Sequence, residues 1–124
     1  NGKGDVYTAK TETTFDLPLA VLINGNTASA SEVFSGAIKD YEMGELVGTT
    51  SFGKGIVQSV IPLKDGTAIK ITTSKYYTPS GKNIHGTGID PDVKVELDTE
   101  GKSDNQYKEA MRLVKAQVKK AKEK

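Results

Sequence analysis

At 124 residues, 35% hydrophobic and 27% charged, the chain is sized for one domain with a modest core and is too apolar for a disordered segment. It has no cysteine and one histidine, His85, which excludes disulfides, thiolate nucleophiles and thiolate metal sites and leaves too few ligands for a transition-metal cluster. The net charge of +1 hides an asymmetry: residues 102–124 hold eight Lys or Arg against three acids, leaving the first 101 residues at −4.

In chain order, NGKGDVYTAKTETTFD (residues 1–16) opens on a glycine-rich turn and continues as a Thr-rich stretch of β character. Starting at Asn1 rather than methionine, the chain is expected to be a piece of something longer, with no signal peptide of its own and no apolar run near the ~20 residues of a membrane span. LPLAVLING (17–25) is a short apolar run closed by Asn-Gly and predicts a buried strand. The period then changes. In NTASASEVFSGAIKDYEMG, the residues Ala30, Val33, Phe34, Ala37, Ile38 and Tyr41 recur at helical spacing, with Gly44 at the expected C-cap.

ELVGTT predicts a second short strand, and IVQSVIPL and TAIKITTSKYYT are β-rich runs joined through Lys64-Asp65-Gly66, a hairpin signal. TPSGKNIHGTGIDPD is too rich in Gly, Pro and Asn for regular structure and reads as an ordered loop or an extended arm. VKVEL adds a last strand. From Asp104 onward, Tyr107, Ala110, Met111, Val114, Val118 and Ala121 describe an amphipathic helix. The order predicts an α/β fold in which a helix lies between strands and a hairpin follows. It divides into a body, residues 1–101, and a basic C-terminal helix, 102–124. The basic tail reads as a solvated helix face. Nucleic-acid binding through it, the alternative, would show a steep salt dependence and has only Tyr107 for stacking.

The stretch GTTSFGKG (48–55) spells G-x-x-x-x-G-K, one residue short of a phosphate-binding loop. That signature needs Ser or Thr after the lysine and a helix starting there. Here Gly55 follows, then Ile56-Val57-Gln58-Ser59-Val60-Ile61, a β-like run. Both requirements fail, which argues against nucleotide binding, and Lys54 needs another explanation. Its flanking glycines allow close approach of neighbours, with Phe52 and Ile56 on either side. A lysine desolvated there loses preference for its charged form and becomes a general base. The alternative is an exposed lysine in a flexible loop.

A lysine base needs a nucleophile. Ser29 falls at a strand-to-helix turn, where backbone N–H groups and the helix dipole favour a developing negative charge. Ser29-Ala30-Ser31-Glu32 is also a capping box, S-x-x-E, in which the serine would only cap the helix. Ser31 and Ser35 compete as nucleophiles, and the residues alone do not rank the three. A Ser–Lys dyad activates serine without histidine, whereas the lone His85 sits in a Gly-rich loop and reads as structural.

From Leu19 to about Leu97 the chain resembles the C-terminal processing (tail-specific) serine peptidases. The likeness rests on AVLINGNTASASEVFSGAIKD followed by LVGTTSFGKGIVQSVIPLKDGTAIKITTSKYYTPSGKNIHGTGIDPDV. It implies a crotonase/Clp-protease-like α/β core, with the nucleophile on Ser29 in TASASE, the lysine base on Lys54 in SFGKG and an assisting glutamine on Gln58 in KGIVQ. The N–H of Ala30 is then the natural first oxyanion donor. Lys54 and Gln58, an even number of residues apart, would share a face if both lie on one strand.

The resemblance further implies a serine endopeptidase without metal or cofactor that cleaves proteins near their C-termini, outside the cytoplasm. Relatives carry a PDZ domain and a first half of the catalytic core, neither of which is in this sequence. The piece is therefore expected to be a poor enzyme alone, to expose surfaces the first half would cover, and to have homo-oligomerisation open to it. A non-catalytic binding or scaffold module on the same fold is the competing reading.

Overall fold

The structure, a computed structural model, describes residues 5–8, 10, 15–101 and 103–123. Two small sheets and two helices follow one another as β1 (Ala20–Ile23), α1 (Ala30–Asp40), β2 (Glu45–Gly48), β3 (Ile56–Pro62), β4 (Ala68–Lys75), β5 (Val93–Lys94) and α2 (Asn105–Lys122). The β character expected of residues 1–16 falls largely outside the described residues, and the part described carries no strand.

β1, β2 and β5 form a parallel sheet in the order β1-β2-β5, with Ala20 opposite Glu45 and Val47 opposite Val93. Parallel neighbours need a crossover connection, and α1 supplies the one from β1 to β2. The core lies between this sheet, α1 and the irregular loop 76–92: Ile23, Ile38, Leu46, Ile84 and Ile89 are buried together, with Leu19 and Val21 packed against them. Leu46 and Val47 are fully enclosed, each contributing about 2 kcal/mol of apolar burial. The loop is thus a core element, as its ordered character required. Asp92 fastens it, accepting from the Leu46 N–H at 2.9 Å and from the Lys39 ammonium.

β3 and β4 pair antiparallel as a separate two-stranded sheet, from Ile56 opposite Lys75 to Pro62 opposite Ala68, with an irregularity between Val57 and Gln58. The Asp65-Gly66 turn closes it, Gly66 adopting φ 86°. Both faces are open along most of its length, with Val60, Ile61, Ile69 and Ile71 exposed. A lone hairpin has marginal stability, and this one projects an unpartnered surface.

α2 begins on Asp104, whose carboxylate accepts from the Tyr107 N–H at 2.8 Å, and packs against β1 and β2. Gln106, buried, donates to the Val95 carbonyl at 2.7 Å, fixing the helix start to the end of β5.

Three local expectations change. The turn after α1 is made by Glu42 at φ 52°, and Gly44 instead lies where a Cβ would meet the Leu19 carbonyl oxygen at 2.6 Å. More tellingly, the apolar face of α1 is buried only in part, at Ile38 and less fully at Ala37. The helix buries Glu32, Ser35, Gly36 and Ile38, while Val33, Phe34 and Tyr41 stand exposed. β1 is likewise an edge strand with Leu22 exposed, rather than a strand buried on both faces.

Candidate active site

Ser29 sits between the Asn24-Gly25 turn after β1 and the first residue of α1. It adopts φ 58°, ψ −119°, a conformation that costs a non-glycine residue about 1–3 kcal/mol. The turn before it is pinned by the Thr27 N–H donating to the Asn24 carbonyl at 2.8 Å. Here strand and helix meet at a sharp elbow with Ser29 half-buried at its tip.

The capping-box arrangement is present on both sides, and the hydrogen bond in it is made by Glu32. Glu32 reaches back so that its Oε2 accepts from the Ser29 N–H at 3.0 Å. The Glu32 N–H goes to the Ser29 carbonyl at 2.9 Å, and the serine hydroxyl makes no cap hydrogen bond. Among the described residues the Ala30 N–H has no acceptor, as befits the first donor of a helix. Ser35, by contrast, is 1% exposed and donates from Oγ to the Ser31 carbonyl at 2.8 Å, which commits its hydroxyl to the helix. Ser31 lies exposed within the first turn. The three serines that the sequence left unranked thus differ in backbone conformation and burial.

Lys54 lies in the loop 51–55, ahead of β3 rather than on it, and is half-buried. The face-sharing expected for Lys54 and Gln58 therefore does not hold as an argument: one residue precedes the strand, and the Val57/Gln58 irregularity interrupts the alternation. Gln58 directs its amide nitrogen to the Thr72 hydroxyl across the hairpin, a long contact of 3.4 Å. Phe52 is 64% exposed, so it does not wall off the lysine as its position in the sequence suggested.

The glycines beside Lys54 do serve close approach, but of backbone to backbone. A Cβ on Gly53 would meet the Gly88 nitrogen at 2.8 Å, and one on Gly55 the His85 nitrogen at 2.7 Å. The Gly86 N–H donates to the Gly53 carbonyl at 2.9 Å. Loop 84–88 thus lies directly on loop 51–55, and His85 takes part through its backbone while its side chain is exposed.

Two ties bring the elbow and the lysine loop together. The Phe52 N–H donates to the Thr27 carbonyl at 2.9 Å, and Glu32 reaches across. Its Oε1 accepts from Ser51 Oγ and from the Gly53 N–H, both at 2.6 Å, and its Oε2 accepts from the Lys54 N–H at 2.7 Å. The Ser29 and Lys54 backbone nitrogens hang on one oxygen and cannot lie farther apart than those two bonds laid end to end. Burial pushes the Glu32 carboxyl up, but the Ser51 hydroxyl and the Lys54, Gly53 and Ser29 amides outweigh it and hold the group below the usual carboxylate range. The role of Glu32 exceeds its place in the capping box. Its only signal in the sequence was the S-x-x-E spacing, which says nothing of partners twenty residues away.

Beside the elbow, Val21, Leu22, Thr27, Ala30, Ser31, Phe34 and Ser35 line an open groove of about 480 Å³. No helix among the described residues is long and apolar enough to cross a membrane.

Comparison with known proteins gives the arrangement its context. Residues 1–95 match the model of peptidase family S41. A carboxy-terminal-processing protease of Bartonella bacilliformis is 53% identical over 83 residues, 67% of this chain and 19% of the relative. The carboxyl-terminal-processing protease of Synechocystis sp. is 42% identical over 119 residues, 91% of this chain and 28% of the relative. Among solved structures, the photosystem II D1 C-terminal processing protease superposes with a TM-score of 0.60 at 47% identity, over 64% of this chain and 20% of that one. Mature CPAF complexed with lactacystin, at 20% identity, shares the fold over 90% of this chain with a TM-score of 0.61. The chain therefore spans about a fifth to a quarter of the length of the relatives it matches.

Proposed function

Because the chain belongs to peptidase family S41, the carboxyl-terminal processing serine proteases, we propose that it is the second half of a catalytic core in which Ser29 is the nucleophile and Lys54 its general base. Ser29 Oγ attacks the scissile carbonyl as its proton passes to the neutral Lys54 amine. The tetrahedral oxyanion is met by the Ala30 N–H at the positive end of α1, and collapse expels the amine product, whose nitrogen takes back the proton from the Lys54 ammonium, to leave an acyl-serine and a neutral lysine. Water, deprotonated by the same lysine, then releases the acyl group. Gln58 assists by offering its amide oxygen to the lysine amine, since its nitrogen is turned toward Thr72. The observation that carries this reading is the left-handed Ser29 elbow, whose backbone is joined to that of Lys54 through the Glu32 carboxylate.

The parent protein in this reading is an endopeptidase that trims protein substrates near their C-termini outside the cytoplasm. Its first half, with a PDZ domain, supplies the remaining oxyanion donor and the surface that desolvates Lys54. The body 1–101 carries the chemistry, and the basic helix 102–124 braces the sheet. The half-buried Lys54, the exposed Phe52 and the open apolar face of α1 support a site completed from outside this segment.

The test is cleavage of an unfolded protein substrate by the full-length protein carrying Ser29→Ala, Lys54→Ala or Ser35→Ala. The first two variants lose at least ~10³ in kcat, and Ser35→Ala retains activity. Turnover that survives Ser29→Ala overturns the nucleophile assignment, whereas a wild-type protein without turnover leaves a binding module on the same fold.

A further inference from the structure

We infer that Glu32, working with Ser51, is the positioning residue that holds the nucleophile elbow and the base loop in register. The inference rests on the Ser29–Lys54 reading above and adds to it a residue that touches neither substrate nor reacting atoms. Glu32 is 0% exposed, and a buried carboxylate is ordinarily neutralised or paired with a cation. Here no cation is involved: none of the ion pairs among the described residues includes Glu32. Its charge is held instead by four donors from two places, the Ser29 amide at the elbow and the Ser51 hydroxyl, Gly53 amide and Lys54 amide of loop 51–55, at 2.6 to 3.0 Å, together with the N-terminal dipole of its own helix.

A carboxylate has about four acceptor positions, and all four are occupied. The three amide donors each fix the plane of a peptide at the elbow or in the lysine loop. Turning the Ser29 N–H inward is what the strained φ of 58° achieves. Turning the Lys54 N–H inward sets the direction in which its side chain leaves the loop. Ser51, 6% exposed, extends the chain of contacts by accepting from the Ile89 N–H at 2.7 Å, so loop 84–89 is tied to the same anion through one hydroxyl.

A glutamine in place of Glu32 has the same shape but cannot serve. Whichever way its amide is turned, the NH2 faces an inward-pointing backbone N–H, at Gly53 on one side or at Ser29 and Lys54 on the other. Aspartate keeps the charge but is one methylene short. An ordinary helix cap tolerates either exchange with a small loss of stability and no change in turnover; a clamp on catalytic geometry does not.

Two measurements decide it. In the full-length protease, Glu32→Gln is expected to lower kcat by ~10² with KM within about threefold, the signature of reacting groups displaced by about an ångström; Ser51→Ala, which removes one donor of four, loses about tenfold by the same route. In this chain, amide NMR reads the clamp without reference to activity. The Gly53 and Lys54 amide protons, on short bonds to an anion, are expected far downfield. With Ser29 they should shift together as Glu32 is protonated in acid, and both features should vanish in a Glu32→Gln protein that keeps its far-UV circular dichroism.

Wild-type kcat in Glu32→Gln, beside an inactive Ser29→Ala, overturns the clamp and leaves the nucleophile in place. A rise in KM alone also overturns it, as does a Gly53–Lys54 signature that persists without the carboxylate. Full activity in Ser29→Ala overturns both readings. If Glu32→Gln does not fold, Ser51→Ala carries the same test, and an unchanged kcat there overturns the proposal.

Discussion

Gly53 and Gly66 hold almost the same left-handed backbone, φ 88° and 86°, and differ in what surrounds them. A Cβ on Gly66, in the hairpin turn, has no atom within 4 Å, whereas one on Gly53 meets the backbone nitrogens of Gly88, Thr87 and Gly86 at 2.8, 3.1 and 3.2 Å. Gly66→Ala therefore reports the conformational cost alone, about 1–2 kcal/mol. Gly53→Ala adds the collision. The opposing atoms are backbone, held in place by the Gly86 N–H on the Gly53 carbonyl at 2.9 Å, so relief requires the two loops to part. Overpacking of this kind adds about 1–3 kcal/mol, giving about 2–5 kcal/mol for Gly53→Ala against a total stability of about 5–15 kcal/mol for a domain. Urea unfolding followed by far-UV circular dichroism measures both, the midpoint moving while the slope stays fixed. In the full-length protease Gly53→Ala should also depress kcat, because the loops that part include the residue before Lys54. If Gly53→Ala costs no more than Gly66→Ala, the packing of loop 84–88 on the lysine loop is not what holds that loop, and the reasoning fails.

Two further outcomes are expected. The folded Glu32 titrates below the usual carboxylate range, so its contribution to stability is present above the unfolded glutamate pKa of about 4.3 and is lost as pH falls through its lower folded value. Wild type should be more stable than Glu32→Gln at neutral pH, and the gap should close on acidification; urea midpoints over a pH series test this, and a constant gap contradicts it. Phe34, Val33 and Leu22 are 53%, 46% and 43% exposed along one side of α1 and β1, so the isolated chain should self-associate and Phe34→Lys should suppress it. Sedimentation velocity over a dilution series checks this, and a wild-type chain that stays monomeric throughout refutes it.

Much of the fold was legible in the sequence, because it rests on local rules. Asn24-Gly25 closing an apolar run, the helical spacing after it, Asp65-Gly66 between two β-rich runs and Asp104 ahead of an amphipathic stretch each encode an element in a few neighbouring residues. The failure of the phosphate loop was legible for the same reason: Gly55 and the β run after it stand next to Lys54. Periodicity also named the apolar face of α1, yet it could not say whether anything covers that face. Coverage is a property of the tertiary structure, and this chain leaves Val33 and Phe34 open while burying Glu32 and Ser35. The different settings of the serines waited on the structure too, since φ at Ser29 and the hydroxyl bond of Ser35 depend on how strand, helix and loop meet. Least legible was the web around Glu32. Its donors lie at residues 29, 51, 53 and 54, and only when loop 51–55 folds back over the start of α1 does one carboxylate come within reach of them all.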